Sequence, residues 1–205
     1  MQCKILIIEH ICIYWIYSLY SMYKNNLFEK FKNSEVNKNS FYVVLTNQII
    51  SGMLLYNCDL NVNEFYLNTV YIIFITIISD LYMIIFFHTV YFYIVHRLFH
   101  LPQLYKLHKL HHNNIITYPH TALYCHIIEH LLLNCMSVII GVYIWKCHIY
   151  SVFIWVFIFT INTINSHNSI SHKSIKKHDY HHLLHNVNYG SGFNFMDMIF
   201  NTYKK

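Results

Sequence analysis

Residues 65–112 read FYLNTVYIIFITIISDLYMIIFFHTVYFYIVHRLFHLPQLYKLHKLHH. The apolar part of this stretch is longer than the roughly 20 residues that a helix needs to cross a bilayer. It passes directly into two groups of histidines, without a linker rich in glycine or serine. The stretch therefore predicts a membrane helix that carries a polar site at its end.

Three histidine clusters share a spacing typical of one helix face. They are H-R-L-F-H at His96 and His100, H-K-L-H-H at His108, His111 and His112, and H-D-Y-H-H at His178, His181 and His182. Offsets of three and four residues stack side chains on one side of a helix, so each cluster can direct its imidazoles at one point. Imidazole is the commonest metal ligand in proteins, and one zinc ion needs only three or four ligands. The clusters therefore predict a site for more than one metal ion.

Chance is the alternative explanation for any one of these clusters. A single HxxHH has little weight, but two copies together with an HxxxH favour a metal site, because motifs gain weight from context. The remaining histidines considered are interpreted as packing or interfacial residues: His10, His88, His120, His130, His148 and His185.

Composition predicts an integral membrane protein. The chain is 56% hydrophobic and only 11% charged, and its mean hydropathy is +0.33. The apolar segments long enough to cross a bilayer give about four to five transmembrane helices. They are Ile5–Tyr23, Phe41–Cys58, Phe65–Val95, Ile127–Trp145 and Ile149–Ile164. A cleaved signal peptide is the alternative for the first segment, but Glu9 and His10 interrupt its apolar run, so a membrane anchor is preferred.

The distribution of lysine and arginine predicts the orientation of these spans. Most of the basic residues occur in three regions: Lys24, Lys30, Lys32 and Lys38; Arg97, Lys106 and Lys109; and Lys173, Lys176 and Lys177. The short segment around Asp59 and Glu64 has none. The positive-inside rule then places all three histidine clusters in the cytosol. We expect an all-α membrane bundle with a cytosolic histidine-rich helical cap, and contact of the basic residues with lipid head groups rather than with nucleic acid.

The order HxxxH, HxxHH, HxxHH resembles the fatty acid hydroxylase/sterol desaturase superfamily of membrane non-haem di-iron oxygenases. The segment YKLHKLHH at 105–112 is similar to the family's Y-K-x-H-K-x-H-H stretch. The segment from Thr117 to Glu129, which ends in HIIE, resembles a motif of its sterol-acting branch, and His167 matches an isolated histidine of that branch. Asn188-Tyr189-Gly190 and Asp197 resemble the family's ending. The resemblance extends from about Tyr91 to Tyr203.

Five positions depart from the family pattern. Thr89 stands where the family has an aspartate, a residue type that orients ligand histidines. Ile127 replaces a proline, Met196 a tryptophan, Asn201 a glycine, and Lys177 a histidine often found before the third cluster.

The resemblance implies two iron ions, with O2 as co-substrate. It assigns as ligands His96, His100, His108, His111, His112, His167, His178, His181 and His182. His126 and His172 are further candidate ligands, and Glu129 is expected to orient a ligand histidine. Zinc does not change its oxidation state, whereas oxidation of a lipid C–H bond requires a metal that does.

The resemblance also implies a function, partners and a domain division. We expect O2-dependent desaturation or hydroxylation of a membrane lipid, with a sterol favoured over a fatty acyl chain or a sphingoid base. Electrons would come from NAD(P)H through cytochrome b5 and its reductase, at the endoplasmic reticulum membrane. Residues 1–64 would form an anchor hairpin, and residues 65–205 the catalytic domain. A metal transporter and an inactive scaffold stay open as alternatives, and Asp80, a charged residue in a span, is either functional or a packing contact.

Overall fold

The computed structural model describes residues 2–28, 35–56, 62, 70–113, 117–168 and 177–205. Every regular element longer than a turn in these ranges is a helix. The predicted all-α fold class is therefore confirmed.

Eight helices follow one another along the described ranges. They are α1 Gln2–Lys24, α2 Glu35–Leu55, α3 Val70–Phe99, α4 Tyr105–His112, α5 Ile127–Trp145, α6 Ile149–Ser166, α7 Lys177–Leu184 and α8 Phe195–Ile199. A short 3-10 turn at Pro119–Thr121 connects α4 to α5. The middle of α5, His130–Cys135, is a π-helical segment.

Four of these helices, α1, α3, α5 and α6, are long and apolar enough to cross a membrane. The sequence had also suggested a span at Phe41–Cys58. Most of that segment is helical, as part of α2, but α2 is not among the four, and it contains the polar residues Asn47 and Gln48. Many apolar residues of α3 face outward, for example Val70 at 82% and Phe74 at 63% exposure, as lipid-facing side chains would.

The two larger apolar cores of the described residues hold the long helices together. One contains Leu6 of α1, Ile84 of α3 and Val142 of α5, and the other contains Tyr14 of α1 and Ile164 of α6. At Gly141, a Cβ atom would lie 2.9 Å from the Cα atom of Ile84, so α3 and α5 approach more closely than any larger residue allows. Because α1 contributes to both cores, it packs into the bundle; the domain boundary at residue 64 stays a prediction.

A hydrogen-bonded cluster around Asp80 joins three helices at one end of the bundle. The carboxylate accepts hydrogen bonds from Trp145 Nε1 at 3.1 Å, the His148 backbone N–H at 2.8 Å and Ser151 Oγ at 2.7 Å. Asp80 thereby links α3 to the turn between α5 and α6. Of the two interpretations left open by the sequence, these contacts support the packing role.

The histidine clusters lie at the opposite end of the same helices. His96 belongs to the last turn of α3 and His100 follows it, while His167 follows the last residue of α6. Helices α4 and α7, which carry the other two clusters, cover this end. Three clusters that are far apart in sequence therefore meet at one end of the bundle.

Candidate metal centre

Nine histidines form two groups at this end of the bundle. Within each group the candidate ligand nitrogens all lie within 4.8 Å of one another. The first group is His96, His100, His108, His112 and His181, and the second is His111, His167, His178 and His182. The structure thus brings together all nine histidines that the family resemblance assigned.

The HxxHH spacing explains how two short helices serve two groups. In α4, the i and i+4 residues His108 and His112 point to the first group, and the i+3 residue His111 points to the second. In α7 the division is reversed: His178 and His182 belong to the second group, and His181 belongs to the first. Each helix therefore contributes two ligands to one group and one ligand to the other.

The Nε2 atoms converge within each group. In the first group, the Nε2 atom of His108 lies 3.1 Å from that of His96 and 3.0 Å from that of His112. In the second group, the Nε2 atom of His167 lies 3.4 Å from that of His111 and 3.1 Å from that of His178. These are separations between nitrogens of neighbouring rings, so each group has its ring tips directed at one centre.

The Nδ1 atoms of several of these rings are committed to acceptors. His96 Nδ1 donates to the Tyr189 carbonyl at 2.7 Å, and His181 Nδ1 donates to the Val187 carbonyl at 2.8 Å. A carbonyl oxygen only accepts, so the proton of each neutral ring sits on Nδ1. The Nε2 atom then carries a lone pair, which is the form that binds a metal.

Glu129 holds a third ring in the same way. Its carboxylate lies 2.9 Å from His108 Nδ1, and both side chains are buried. The Nε2 atom of the same His108 ring lies 3.1 Å from that of His96, so Glu129 lies on the far side of the ring from the first histidine group. The expected role of Glu129, to orient a ligand histidine, agrees with this contact.

The nitrogen spacing fits metal coordination by imidazoles. Two nitrogens bound about 2.1 Å from one ion lie about 3.0 Å apart at a right angle and about 3.4 Å apart at the tetrahedral angle. The observed Nε2 separations of 3.0–3.4 Å fall in this range. The donor set and its spacing therefore suit a metal ion in each group.

Burial keeps these imidazoles in the neutral form that binds metal. Burial and the neighbouring histidines lower the pKa of His100 to about 3. The same two causes hold the pKa values of other ring nitrogens well below the ordinary histidine range, at His108, His111, His178, His181 and His182. No proton competes with a metal for these nitrogens near neutral pH.

His126 and His172 were the two further candidate ligands. His126 belongs to neither group; its Nδ1 accepts a hydrogen bond from the Ile128 backbone N–H at 3.2 Å and so caps the start of α5. As a metal ligand His126 is therefore unsupported, because its ring nitrogen is used in the helix cap. His172 lies outside the described residues.

Asp197 fixes the loop that orients His96. Its carboxylate accepts hydrogen bonds from the backbone N–H groups of Tyr189 at 2.8 Å and Gly190 at 2.9 Å, and from Thr202 Oγ1 at 2.8 Å. The Tyr189 carbonyl in turn accepts from His96. The Asn-Tyr-Gly and Asp motifs noted in the sequence thus act on the histidine site through one hydrogen-bonded backbone.

Three of the family departures have simple structural explanations. Asn201 has φ +54°, a left-handed conformation that glycine and asparagine both adopt readily. Met196 replaces a tryptophan as a buried apolar residue beside Tyr93 and Tyr189. Ile127 is the first residue of α5, where proline is tolerated but not required.

At the other two departures, Thr89 and Lys177, the side chain contacts residues other than the candidate ligand histidines. Thr89 donates its hydroxyl to the Ile85 carbonyl of its own helix at 2.7 Å. It therefore does not replace the carboxylate that the family has at this position. Lys177 is exposed, and its ammonium lies 5.1 Å from the ring centre of Tyr203.

His185, which the sequence interpretation treated as a packing or interfacial residue, lies beside the first histidine group. Its ring centre lies 4.5 Å from that of His112 in the first group, and the Tyr105 hydroxyl lies 3.4 Å from its Nδ1. His185 directly follows the last residue of α7 and has φ +63°, so it lies next to the third cluster without belonging to that helix. Its position four residues after His181 was the available signal.

A cavity of about 440 Å³ opens beside both groups. Its wall includes the ligand-group residues His96, His108, His111, His167 and His178. Phe92, Leu133 and Phe159 add apolar surface, and Asn134, Asn162 and Ser191 add polar groups. The π-helical segment of α5 contributes Leu133 and Asn134 to this wall, and Glu129, directly before that segment, also lines the cavity. The volume is in the range of small-molecule sites.

Comparison with known proteins agrees with these features. Residues 81–202, which contain all nine histidines, match the family model described as fatty acid hydroxylase. No solved structure matches the chain.

Curated relatives match about half of the chain. Human fatty acid hydroxylase domain-containing protein 2 is 36% identical over 103 residues, which cover 48% of this chain and 31% of that protein. Fatty acid hydroxylase ahd1 of Mycosarcoma maydis is 32% identical over 120 residues, with 55% and 30% covered. Methylsterol monooxygenase 1 of Gallus gallus is 30% identical over 122 residues, with 54% and 41% covered. The matched segment spans less than half the length of each relative. With its family model matched over more than half its length, this chain belongs to the fatty acid hydroxylase family.

Proposed function

We propose that the protein is a membrane-bound non-haem di-iron oxidoreductase that uses O2 to oxidise a C–H bond of a membrane lipid. One observation carries the proposal: two groups of histidines bring their Nε2 atoms within 3.0–3.4 Å of one another. Four or five imidazoles gathered at one point supply the nitrogen ligands that a metal ion needs. Membership of the family favours iron as the metal.

The residues of this chain would hold two iron ions, one in each histidine group. Bound iron would supply the change of oxidation state that side chains cannot. The protein's contribution is to fix the rings: Tyr189, Val187 and Glu129 hold His96, His181 and His108 by their Nδ1 atoms. Ligand rings held in this way are already oriented before a metal binds.

The cavity beside the histidines would bind the lipid. Phe92 of α3 and Phe159 of α6 belong to membrane-spanning helices, so the cavity reaches from the histidines towards the bilayer. A lipid can then enter from the membrane without passing through water. Its apolar wall would exclude water from the oxidised carbon.

We propose a sterol as the favoured substrate. Methylsterol monooxygenases are among the relatives, and the His126 to Glu129 segment resembles the sterol-acting branch. A fatty acyl chain or a sphingoid base is the second candidate, supported by the relative from Mycosarcoma maydis, whose name is fatty acid hydroxylase. Desaturation and hydroxylation are both compatible with the site.

Electrons would arrive from the cytosolic side. Exposed Arg97, Lys106 and Lys109 flank the histidine clusters, and Lys177 lies at the start of α7. Their charge favours an acidic soluble donor. We propose cytochrome b5, reduced by its NAD(P)H-dependent reductase, at the endoplasmic reticulum membrane.

Two alternatives receive less support. A metal transporter is expected to hold its ligands near mid-membrane, whereas these histidines cluster at the ends of α3 and α6. An inactive scaffold has no need for nine convergent histidines, seven of them buried, because burial of a polar ring costs free energy unless its nitrogens find partners.

The test is a lipid profile combined with metal analysis. The wild-type chain and His181→Ala would each be expressed in cells that lack endogenous sterol 4-methyl oxidation, and then purified in detergent. We expect two irons per wild-type chain and loss of 4-methylsterol intermediates only with the wild type. Unchanged sterols with altered hydroxylated fatty acids or sphingoid bases would support the second candidate instead. No lipid change with either chain would contradict the enzymatic assignment.

A further inference from the structure

Helix α3 carries a further histidine, His88, which belongs to neither histidine group. It contacts Ser191, in the loop that lines the cavity. Its Nδ1 lies 3.0 Å from the Ser137 carbonyl of α5, and its Nε2 lies 2.6 Å from Ser191 Oγ. The rings of Trp155 and Phe159 each pack with their centres 5.1 Å from that of His88. Hydrogen bonds at both nitrogens and packing against two aromatic rings therefore hold the imidazole in place.

These contacts decide which atom donates between His88 and Ser191. A carbonyl only accepts, so His88 Nδ1 carries the proton, and burial inside a membrane helix favours the neutral ring. The Nε2 atom of that ring is then an acceptor. Ser191 must therefore donate its one hydroxyl hydrogen to His88.

The consequence is a fixed acceptor in the cavity wall. Ser191 lines the cavity, and with its hydrogen given to His88 its oxygen has only lone pairs left to offer. The loop that carries it is held in place, since Asp197 binds the Gly190 N–H at 2.9 Å and Asn162 Nδ2 donates to the Ser191 carbonyl at 3.4 Å. Ser191 cannot turn to donate without losing its contact with His88.

From this geometry we infer that Ser191 is a specificity-determining residue, which accepts a hydrogen bond from a hydroxyl group of the lipid substrate. The inference rests on the proposed function, and it narrows the substrate to a lipid alcohol. Plain fatty acyl chains have no donor for this position. Ser191 also lies two residues after Tyr189, whose carbonyl holds His96, so the bound hydroxyl would lie beside the first histidine group.

Two variants change the hydrogen-bonding capacity of the cavity wall at Ser191 in opposite ways: one removes the acceptor, and the other adds a donor. Ser191→Ala removes the acceptor, and the expected loss of affinity for a lipid alcohol is about tenfold, as for one hydrogen bond in a buried site. His88→Phe keeps an aromatic ring among Trp155 and Phe159 but frees the Ser191 hydrogen. Ser191 in that variant can donate, so we expect improved binding of a lipid ketone.

The experiment measures binding of lipids to the purified full chain by competition with a radiolabelled sterol in detergent micelles. The probes are cholesterol, its 3-methyl ether, the corresponding 3-ketone, sphinganine and palmitate. Wild type should prefer cholesterol over its ether and ketone by about tenfold, Ser191→Ala should lose this preference, and His88→Phe should shift it towards the ketone. Preference for sphinganine over cholesterol, with the same response to Ser191→Ala, would assign the hydroxyl to a sphingoid base.

Metal content and turnover separate this inference from the proposed function. The inference is overturned if Ser191→Ala keeps two metals per chain and the wild-type preference for the alcohol, or if palmitate competes as well as cholesterol. Equal binding of all probes by wild type also overturns it. If wild type shows the alcohol preference but no oxidation with iron, O2 and a reductant, the acceptor role of Ser191 stands and the proposed oxidase function fails.

Discussion

Helix α3 carries two buried polar clusters, one around Asp80 in its first half and one around His96 in its last turn, and the two clusters differ in the groups that they bring together. At Asp80, one carboxylate receives three donors, from Trp145, His148 and Ser151. At His96, ring nitrogens face other ring nitrogens of the first histidine group, at 3.1 Å. The Asp80 cluster matches one carboxylate with three different donors, whereas the histidine cluster gathers several nitrogens of one kind, the ligand type that metal ions bind. The chemistry of the gathered groups therefore distinguishes a structural polar cluster from a candidate metal site.

The largest expected effect comes from removing one ligand of either histidine group. His181→Ala and His111→Ala should lower the metal content from two ions per chain to one or fewer and reduce lipid oxidation to background. Both proteins should still insert, because insertion depends on apolar helix length. Metal analysis, turnover and carbonate extraction of membranes measure these three properties.

His148→Asn is the matched control at the Asp80 end. His148 Nδ1 accepts from the Tyr150 backbone N–H, and asparagine is also a good helix N-cap, so this imidazole can be removed without losing the cap. The control should keep its metals and activity. Full activity of His181→Ala would refute the metal assignment.

Removing the carboxylate at the other end tests the comparison from the structural side. Asp80→Leu leaves three donors without their acceptor, and we expect the free energy of unfolding to fall by about 3 kcal/mol or more. Metal content at temperatures where the protein is folded should stay at two ions. Thermal unfolding in detergent, followed beside metal analysis, gives both values. Loss of metal from the folded variant would show that the two ends are not independent.

Much of the candidate site was predictable because its signals are local. The spacing within each cluster predicted the helices α4 and α7, and the family motifs identified the nine histidines that converge. The apolar runs predicted the four spans. They also predicted a fifth span at the segment of α2, which is not among the four and mixes apolar residues with Asn47 and Gln48. Local patterns carry no information on the partner of each ring nitrogen.

The missed features depend on contacts between distant parts of the chain. His88 and Ser191 are 103 positions apart, and their hydrogen bond follows from the packing of α3 against the loop before α8. The action of Asp197 on His96 passes through the Tyr189 backbone. Such roles become visible only once the helices are assembled.

Asp197 offers an intermediate test, since it supports the histidine end without being a ligand. Asp197→Ala should free the Tyr189 loop and weaken metal affinity by about 10- to 100-fold, chiefly in the first group. Competition with a chelator measures this affinity. Asn201→Gly, at a neighbouring position with φ +54°, should leave affinity unchanged. Equal affinities for Asp197→Ala and wild type would remove Asp197 from the support of the site.

The smallest expected effect concerns His120, which belongs to neither the Asp80 cluster nor the two histidine groups. Burial lowers its pKa to about 4 from an ordinary value of 6.5. Between these pH values the unfolded chain binds a proton that folded His120 does not. Its contribution to stability is therefore complete above pH 6.5 and is lost as the pH falls, by about 1.4 kcal/mol per pH unit. Thermal unfolding at pH 7.5 and 5 should show a smaller decrease for His120→Gln than for wild type; identical decreases would contradict the burial effect.

The central claim is that the two histidine groups are two metal sites. The most direct measurement is anomalous diffraction at the iron edge from crystals of the protein purified with iron. We expect two peaks, each about 2.1 Å from the Nε2 atoms of one group. One peak, peaks elsewhere in the chain, or histidine rings that turn their Nε2 atoms away from each other would contradict the account.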